Sequence, residues 1–149
     1  MKVSLRSTYG IMAAVDLAMQ TGSMPIQSKS IAKRQGIPAR FLEQVLHAMK
    51  KAGLVSSLRG AQGGYVLTKK PSDLSVADIL EALDGPFLSA DKSSRPSSPR
   101  RATKCDLLLA SVWNRVSEAE RHVLDAITVE QLAGQQRQLE QQRTLMYHI

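Results

Sequence analysis

Apolar residues open the chain at helical spacing: Tyr9, Met12, Ala13, Leu17 and Met19 fall on one side of residues 5–20, which predicts a core helix closed by Thr21-Gly22. A second, short helix is expected after Pro25, with Ser28 as its cap, Ile31 and Ala32 on its inner face, and Gly36 at a left-handed C-terminal position. The third helix starts at Pro38, a residue suited to a first helical turn, and stops at Gly53. Its apolar stripe is Ile37, Phe41, Leu42, Val45, Leu46 and Met49, and Arg40, Glu43, Gln44, His47, Lys50 and Lys51 occupy the polar side.

The period then changes. Residues 54–58 and 65–68 are two short β-prone runs around the glycine-rich loop Arg59-Gly60-Ala61-Gln62-Gly63-Gly64, a hairpin. A phosphate-cradling nucleotide loop is excluded, because its glycines lead from a strand into a helix and end in Gly-Lys-Ser/Thr, whereas a β-run follows here. A fourth helix is expected over residues 75–83, with Ser75 as cap and Asp78 three residues on, closing at Asp84-Gly85. Residues 89–104 are dominated by Ser, Pro, Lys and Arg and read as a loop. The longest helical pattern runs from Asp106 to Leu132. Leu109, Val112, Val116, Ala119, Val123 and Ala126 alternate spacings of three and four, and Trp113, Leu124 and Ile127 broaden the stripe. Such a helix, about 40 Å long, would leave a small domain behind, so its economical partner is the same helix in a second chain; packing against the chain's own helices is the alternative. Gln-rich residues 134–149 form a tail in which Leu145, Met146, Tyr147 and Ile149 could dock on the core.

The expected fold is therefore mainly α with one small β-hairpin. A winged helix-turn-helix occupies residues 1–84, a loop residues 85–104, a dimerisation helix residues 105–133 and a tail residues 134–149. Two helices joined around Gly36 make the helix-turn-helix, whose second helix enters the major groove of duplex DNA, with the hairpin as wing. Charge supports this. Of a net +7, residues 1–70 hold eleven Lys or Arg against two acids, and residues 71–149 hold nine against eleven. Clustered cations are rewarded when they displace phosphate counterions. The alternatives are a solvated basic face and a protein-interaction adaptor that keeps the fold without binding DNA. One cysteine, Cys105, excludes an intrachain disulfide and suits a reducing, cytoplasmic compartment. Neither a signal peptide nor a spanning helix is expected, nor any membrane partner. His47, His122 and His148 are scattered and no nucleophile has an evident base, so no enzyme is predicted.

On the third helix Ala39, Arg40, Phe41, Glu43, Gln44 and His47 come nearest the bases. Arg suits guanine, Gln adenine, Glu the cytosine amino group, and an apolar group the thymine methyl. Phe41 is equally a core aromatic, and Glu43 could instead pair with Lys50 or Lys51. Ser28, with the amides at the start of its helix, would hold phosphate. Arg59, beside Gly60 on the wing, could enter a narrow minor groove.

Four stretches carry a resemblance: residues 2–10 (KVSLRSTYG), 41–44 (FLEQ), 53–60 (GLVSSLRG) and 63–67 (GGYVL). Over roughly residues 1–132 the chain resembles the bacterial winged-helix regulator family that includes the iron–sulfur regulator IscR, the nitric-oxide sensor NsrR and the cysteine-metabolism repressor CymR. The resemblance implies a winged-helix domain, a long dimerisation helix, a palindromic promoter site, and DNA contacts at Glu43, Gln44 and Arg59. The effector site departs from it. Cluster-binding members carry three cysteines around the loop before the long helix; here Cys105 stands alone, and Leu108 occupies a position where a His ligand would be expected. A [2Fe–2S] cluster takes four ligands, largely thiolate. No cofactor is therefore predicted, and the chain resembles the cluster-free members, which act with a protein partner; a regulatory protein or a small-molecule effector would supply the signal. A cluster- or thiol-based sensor is the alternative. Cys105 lies beside Lys104 at a helix start, a setting that suits a reactive redox thiol, although a helix-packing role is open too.

Overall fold

The computed structural model describes residues 2–20, 24–87 and 103–148. Among these residues six α-helices and one hairpin follow the order α1 (Leu5–Met19), α2 (Ser28–Gln35), α3 (Ala39–Lys51), β1 (Val55–Leu58), β2 (Gly64–Leu67), α4 (Val76–Asp84), α5 (Lys104–Asp125) and α6 (Val129–Tyr147). The mainly helical winged architecture is that expected from the periodicity. The Thr21-Gly22 stop, most of the Ser/Pro-rich loop and Ile149 lie outside the described residues.

Side chains repeating every three or four residues fill the core. Ala13, Ala14 and Leu17 of α1 meet Ile31 of α2, Leu42, Val45, Leu46 and Met49 of α3, Ile79 of α4, and Val129 and Ala133 of α6, all buried. Gly36 closes α2 in the left-handed region, φ 65°, and its N–H donates to the Ala32 carbonyl; a side chain there would strain the backbone. That turn sends α3 across α2. Two details differ from expectation. Gln27, not Ser28, occupies the N-cap of α2 and makes no side-chain cap bond; Ser28 is already helical. Pro38 is the N-cap of α3 rather than part of its first turn.

One polar contact locks α1 to α2. Asp16 of α1 is 2% exposed, and Arg34 of α2 grips it in a fork, Nε to Oδ1 at 2.9 Å and Nη2 to Oδ2 at 2.7 Å. Gln35 Nε2 donates to the same carboxylate at 3.2 Å. The hydrogen bonds to Asp16 raise the Arg34 pKa above its ordinary value. A carboxylate leaves water at a cost of several kcal/mol, and a bidentate guanidinium with an added amide offsets it.

β1 and β2 are antiparallel, with Val55 opposite Leu67 and Leu58 opposite Gly64. A third extended segment joins them. Ile26 exchanges both backbone hydrogen bonds with Tyr65, at 3.0 and 2.8 Å. A Cβ on Gly64, whose φ is 154°, would lie 2.4 Å from the Ile26 carbonyl, so only glycine lets the wing approach the chain ahead of α2.

The C-terminal part corrects the expected single helix from Asp106 to Leu132. It is two helices, parted at Ala126–Thr128. Thr128 Oγ1 accepts from the Gln131 N–H at 3.2 Å while Gln131 Oε1 accepts from the Thr128 N–H at 3.1 Å, a capping box that starts α6. The turn is stitched to the N-terminus of α4: the Val76 N–H donates to the Ile127 carbonyl and the Val129 N–H to the Leu74 carbonyl, each at 2.9 Å. The residues expected as a tail are the distal part of α6. Leu145, Met146 and Tyr147 are exposed in the single chain rather than docked on the core.

Removing Arg34 leaves Asp16 buried with Gln35 as its remaining side-chain donor among the described residues. Arg34→Ala is expected to destabilise the fold by about 2 kcal/mol, less than a fully buried pair because Arg34 is 41% exposed. The shift of the urea unfolding midpoint measures it; an unchanged midpoint would mean that the pair is solvated and contributes nothing.

Candidate nucleic-acid interface

Burial of Leu42, Val45, Leu46 and Met49 turns the opposite side of α3 outward. Ala39, Arg40, Glu43, Gln44 and His47 are all exposed there. Arg40, Phe41, Glu43, Gln44, Val45 and His47 line one open recess, and Arg6 enters it from α1. The expected reading set on α3 is thus one surface. Phe41 is half-buried and packs edge-on against Tyr9 with ring centroids 5.4 Å apart, so its ring also braces α3 on α1. Lys50 does not pair with Glu43: its Nζ donates to Ser57 Oγ on the wing at 2.6 Å. Among the described residues Glu43 has no cation within salt-bridge distance.

The wing presents Arg59 and Gly60, both exposed. Its tip is tied to the start of α2, because Gln27 Nε2 donates to the Ala61 carbonyl at 3.4 Å. Ser28, half-buried at that start, is adjacent to exposed Lys29. Arg59, Gly60 and Ser28 are therefore held on one side by the Ile26–Tyr65 pairing, although they do not share the recess of α3. Two features escaped the sequence. Ile26 gave no strand signal because one paired residue has no alternation to show, and Arg6 was counted only as charge because its neighbours in the recess lie more than thirty positions away.

The far end of the chain carries a different surface. Thr103 caps α5 through a capping box with Asp106, and the backbone N–H of Thr103 donating to that carboxylate holds it below the usual carboxylate range. Cys105 is exposed in the first turn and Leu108 is exposed one turn on. Among the described residues no three of His, Cys, Asp and Glu gather closely enough to hold a metal ion. None of the described helices is long and apolar enough to cross a membrane.

A helix with an exposed Arg-Glu-Gln face, braced by a second helix and flanked by a basic wing, defines a winged helix-turn-helix transcription regulator that binds DNA. The chain belongs to the Rrf2 family, whose model, described as an iron-dependent transcriptional regulator, matches residues 3–135. It is 34% identical over 134 residues to the regulator CymR of Bacillus subtilis, covering 90% of this chain and 91% of that protein. The solved structure of B. subtilis CymR, described as the global cysteine regulator, superposes with a TM-score of 0.72 over 90% of this chain and 97% of that one. An IscR from T. potens, 38% identical, gives 0.67 over 89% of this chain and 86% of its own. These relatives are regulators, a family not known as enzymes.

A lone carboxylate facing a polyanion is repelled unless a base amino group compensates it. Glu43→Ala is therefore expected to relax specificity, by about 1–3 kcal/mol at one base pair, more than it lowers overall affinity. Competition binding with single-base operator variants measures this, and an unchanged ranking would count against base contact by Glu43.

Proposed function

We propose that the chain is a sequence-specific repressor that acts as a homodimer on a palindromic promoter site, with α5 of each copy packed along the other. One observation carries this reading. Leu109, Val112, Val116 and Val123 are 47%, 47%, 45% and 59% exposed in the single chain, Ala119 is exposed in the same row, and α5 has no buried residue at all. Apolar area left in water forfeits about 25 cal/mol per Å², and a contiguous apolar row of this length marks an interaction surface. Its alternating spacing of three and four fits a second helix, and the same helix related by a two-fold axis covers it. Two outward-facing α3 surfaces would then meet half-sites one or more helical turns apart, with base contacts from Arg40, Glu43 and Gln44, phosphate contacts from the start of α2, and Arg59 on the wing.

The residues present do not fit a resident cluster. One cysteine per chain, with Leu108 and not His a turn later, falls short of four ligands. We therefore extend to this chain the cluster-free mode, in which a regulatory protein or a small molecule brings the signal.

Val116→Glu is expected to convert a dimer into a monomer in sedimentation velocity and to weaken operator binding by about a hundredfold or more, since the second half-site then binds independently. A wild-type chain that sediments as a monomer at micromolar concentration would remove the dimer reading. Separately, anaerobic incubation with ferrous iron and sulfide followed by desalting is expected to leave no stoichiometric iron and an unchanged operator affinity. A coloured protein with altered affinity would overturn the cluster-free reading.

A further inference from the structure

We propose that Arg6 is a DNA-backbone contact, so that the interface extends from the helix-turn-helix and wing onto the first turn of α1. The proposal rests on the DNA-binding reading above and adds an element that none of its residues belongs to.

Three observations meet at Arg6. It lines the same recess as Arg40, Glu43, Gln44 and His47, although it comes from another helix. It is exposed, and among the described residues it has no carboxylate within salt-bridge distance and no side-chain hydrogen bond. Its N–H donors are therefore open to solvent and to an anion that approaches the recess. Its position in the helix is also unfavourable by itself. The first turn of α1 contains no acidic residue, and a cation there opposes the helix dipole. Asp84 of α4 already offsets part of that dipole through Ser4, so a phosphate would be held by the guanidinium itself.

The base of the side chain is held firmly. Ser4 Oγ accepts from the Ser7 N–H at 3.0 Å, and the Ser4 carbonyl accepts from the Thr8 N–H at 3.0 Å. The Ser4 N–H donates to Asp84 Oδ2 at 3.2 Å, and Ser4 Oγ donates to Asp84 Oδ1, pinning the start of α1 to the end of α4. Burial works against ionisation of Asp84, but the Ser4 and Ser7 hydroxyls and the Ser4 N–H together outweigh it, and the Arg6 charge adds a smaller contribution; the carboxyl stays below its ordinary range. Three residues further on, Tyr9 packs on Phe41 of α3. The first turn of α1 is thus fixed to the helix that faces the bases, and ordering on DNA is confined to the Arg6 side chain.

The test uses the full chain, its operator duplex and a set of single-base operator variants. Arg6→Gln is expected to weaken binding about tenfold, equally for every variant, and to make the dependence of log K on log salt shallower by about one per chain. Arg6→Lys restores most of the slope. Arg143→Gln serves as a charge control: Arg143 is exposed on α6 beyond Arg137, whose Nη2 donates to the Ala18 carbonyl at the opposite end of α1, about 20 Å from Arg6. It is expected to leave the slope unchanged. An Arg6→Gln slope equal to wild type, equal losses for Arg6→Gln and Arg143→Gln, or a reordering of the variants by Arg6→Gln would each overturn the backbone contact while leaving the DNA-binding reading intact. A wild-type chain that binds no duplex even at low salt would overturn that reading and this proposal with it.

Discussion

The arrangement depends on the burial of one side of α3. Leu42, Val45, Leu46 and Met49 are almost completely removed from water, each contributing roughly 1.5–3 kcal/mol of transfer free energy. Because they recur at helical spacing, their burial leaves Arg40, Glu43, Gln44 and His47 on the outward side in a fixed rotational setting. A helix that reads DNA has no need to be stabilised by the DNA; its orientation is set from behind.

Polar contacts refine what the core imposes. The fork of Arg34 on Asp16 ties α2 to α1, and the backbone exchange of Ile26 with Tyr65 ties the wing to the segment ahead of α2. Both constrain the same helix from opposite directions. On the exposed face, by contrast, Arg6 and Glu43 have no ion pair among the described residues. The division follows from desolvation. Charges inside the fold are paired because solvation is lost there, whereas those on the binding face remain hydrated until phosphate or a base edge replaces the water.

α5 obeys another rule. α5 touches the body through its last turns, where Arg121 bonds Glu81 at 2.6 Å and the α5–α6 turn is stitched to Leu74 and Val76. The rest of α5 stands clear with its apolar row outward. The exposed polar side of α3 and the exposed apolar row of α5 are thus separate surfaces, and α4 packs against both helices.

Periodicity alone determined α1 to α4, the hairpin and the polar side of α3, because local spacing and turn residues dominate there. Composition, not periodicity, gives Cys105 as the one cysteine of the sequence. The break between α5 and α6 was legible in Thr128-Val-Glu-Gln131 as a capping signal, but the apolar spacing continues across it and masks it. Tertiary structure decided the rest. It brought Arg6 beside Glu43, paired Ile26 with Tyr65 and chose Asp16 as a partner for Arg34. Each of these joins residues eighteen or more positions apart, and the packing that unites them is a property of the whole core rather than of any segment's own pattern.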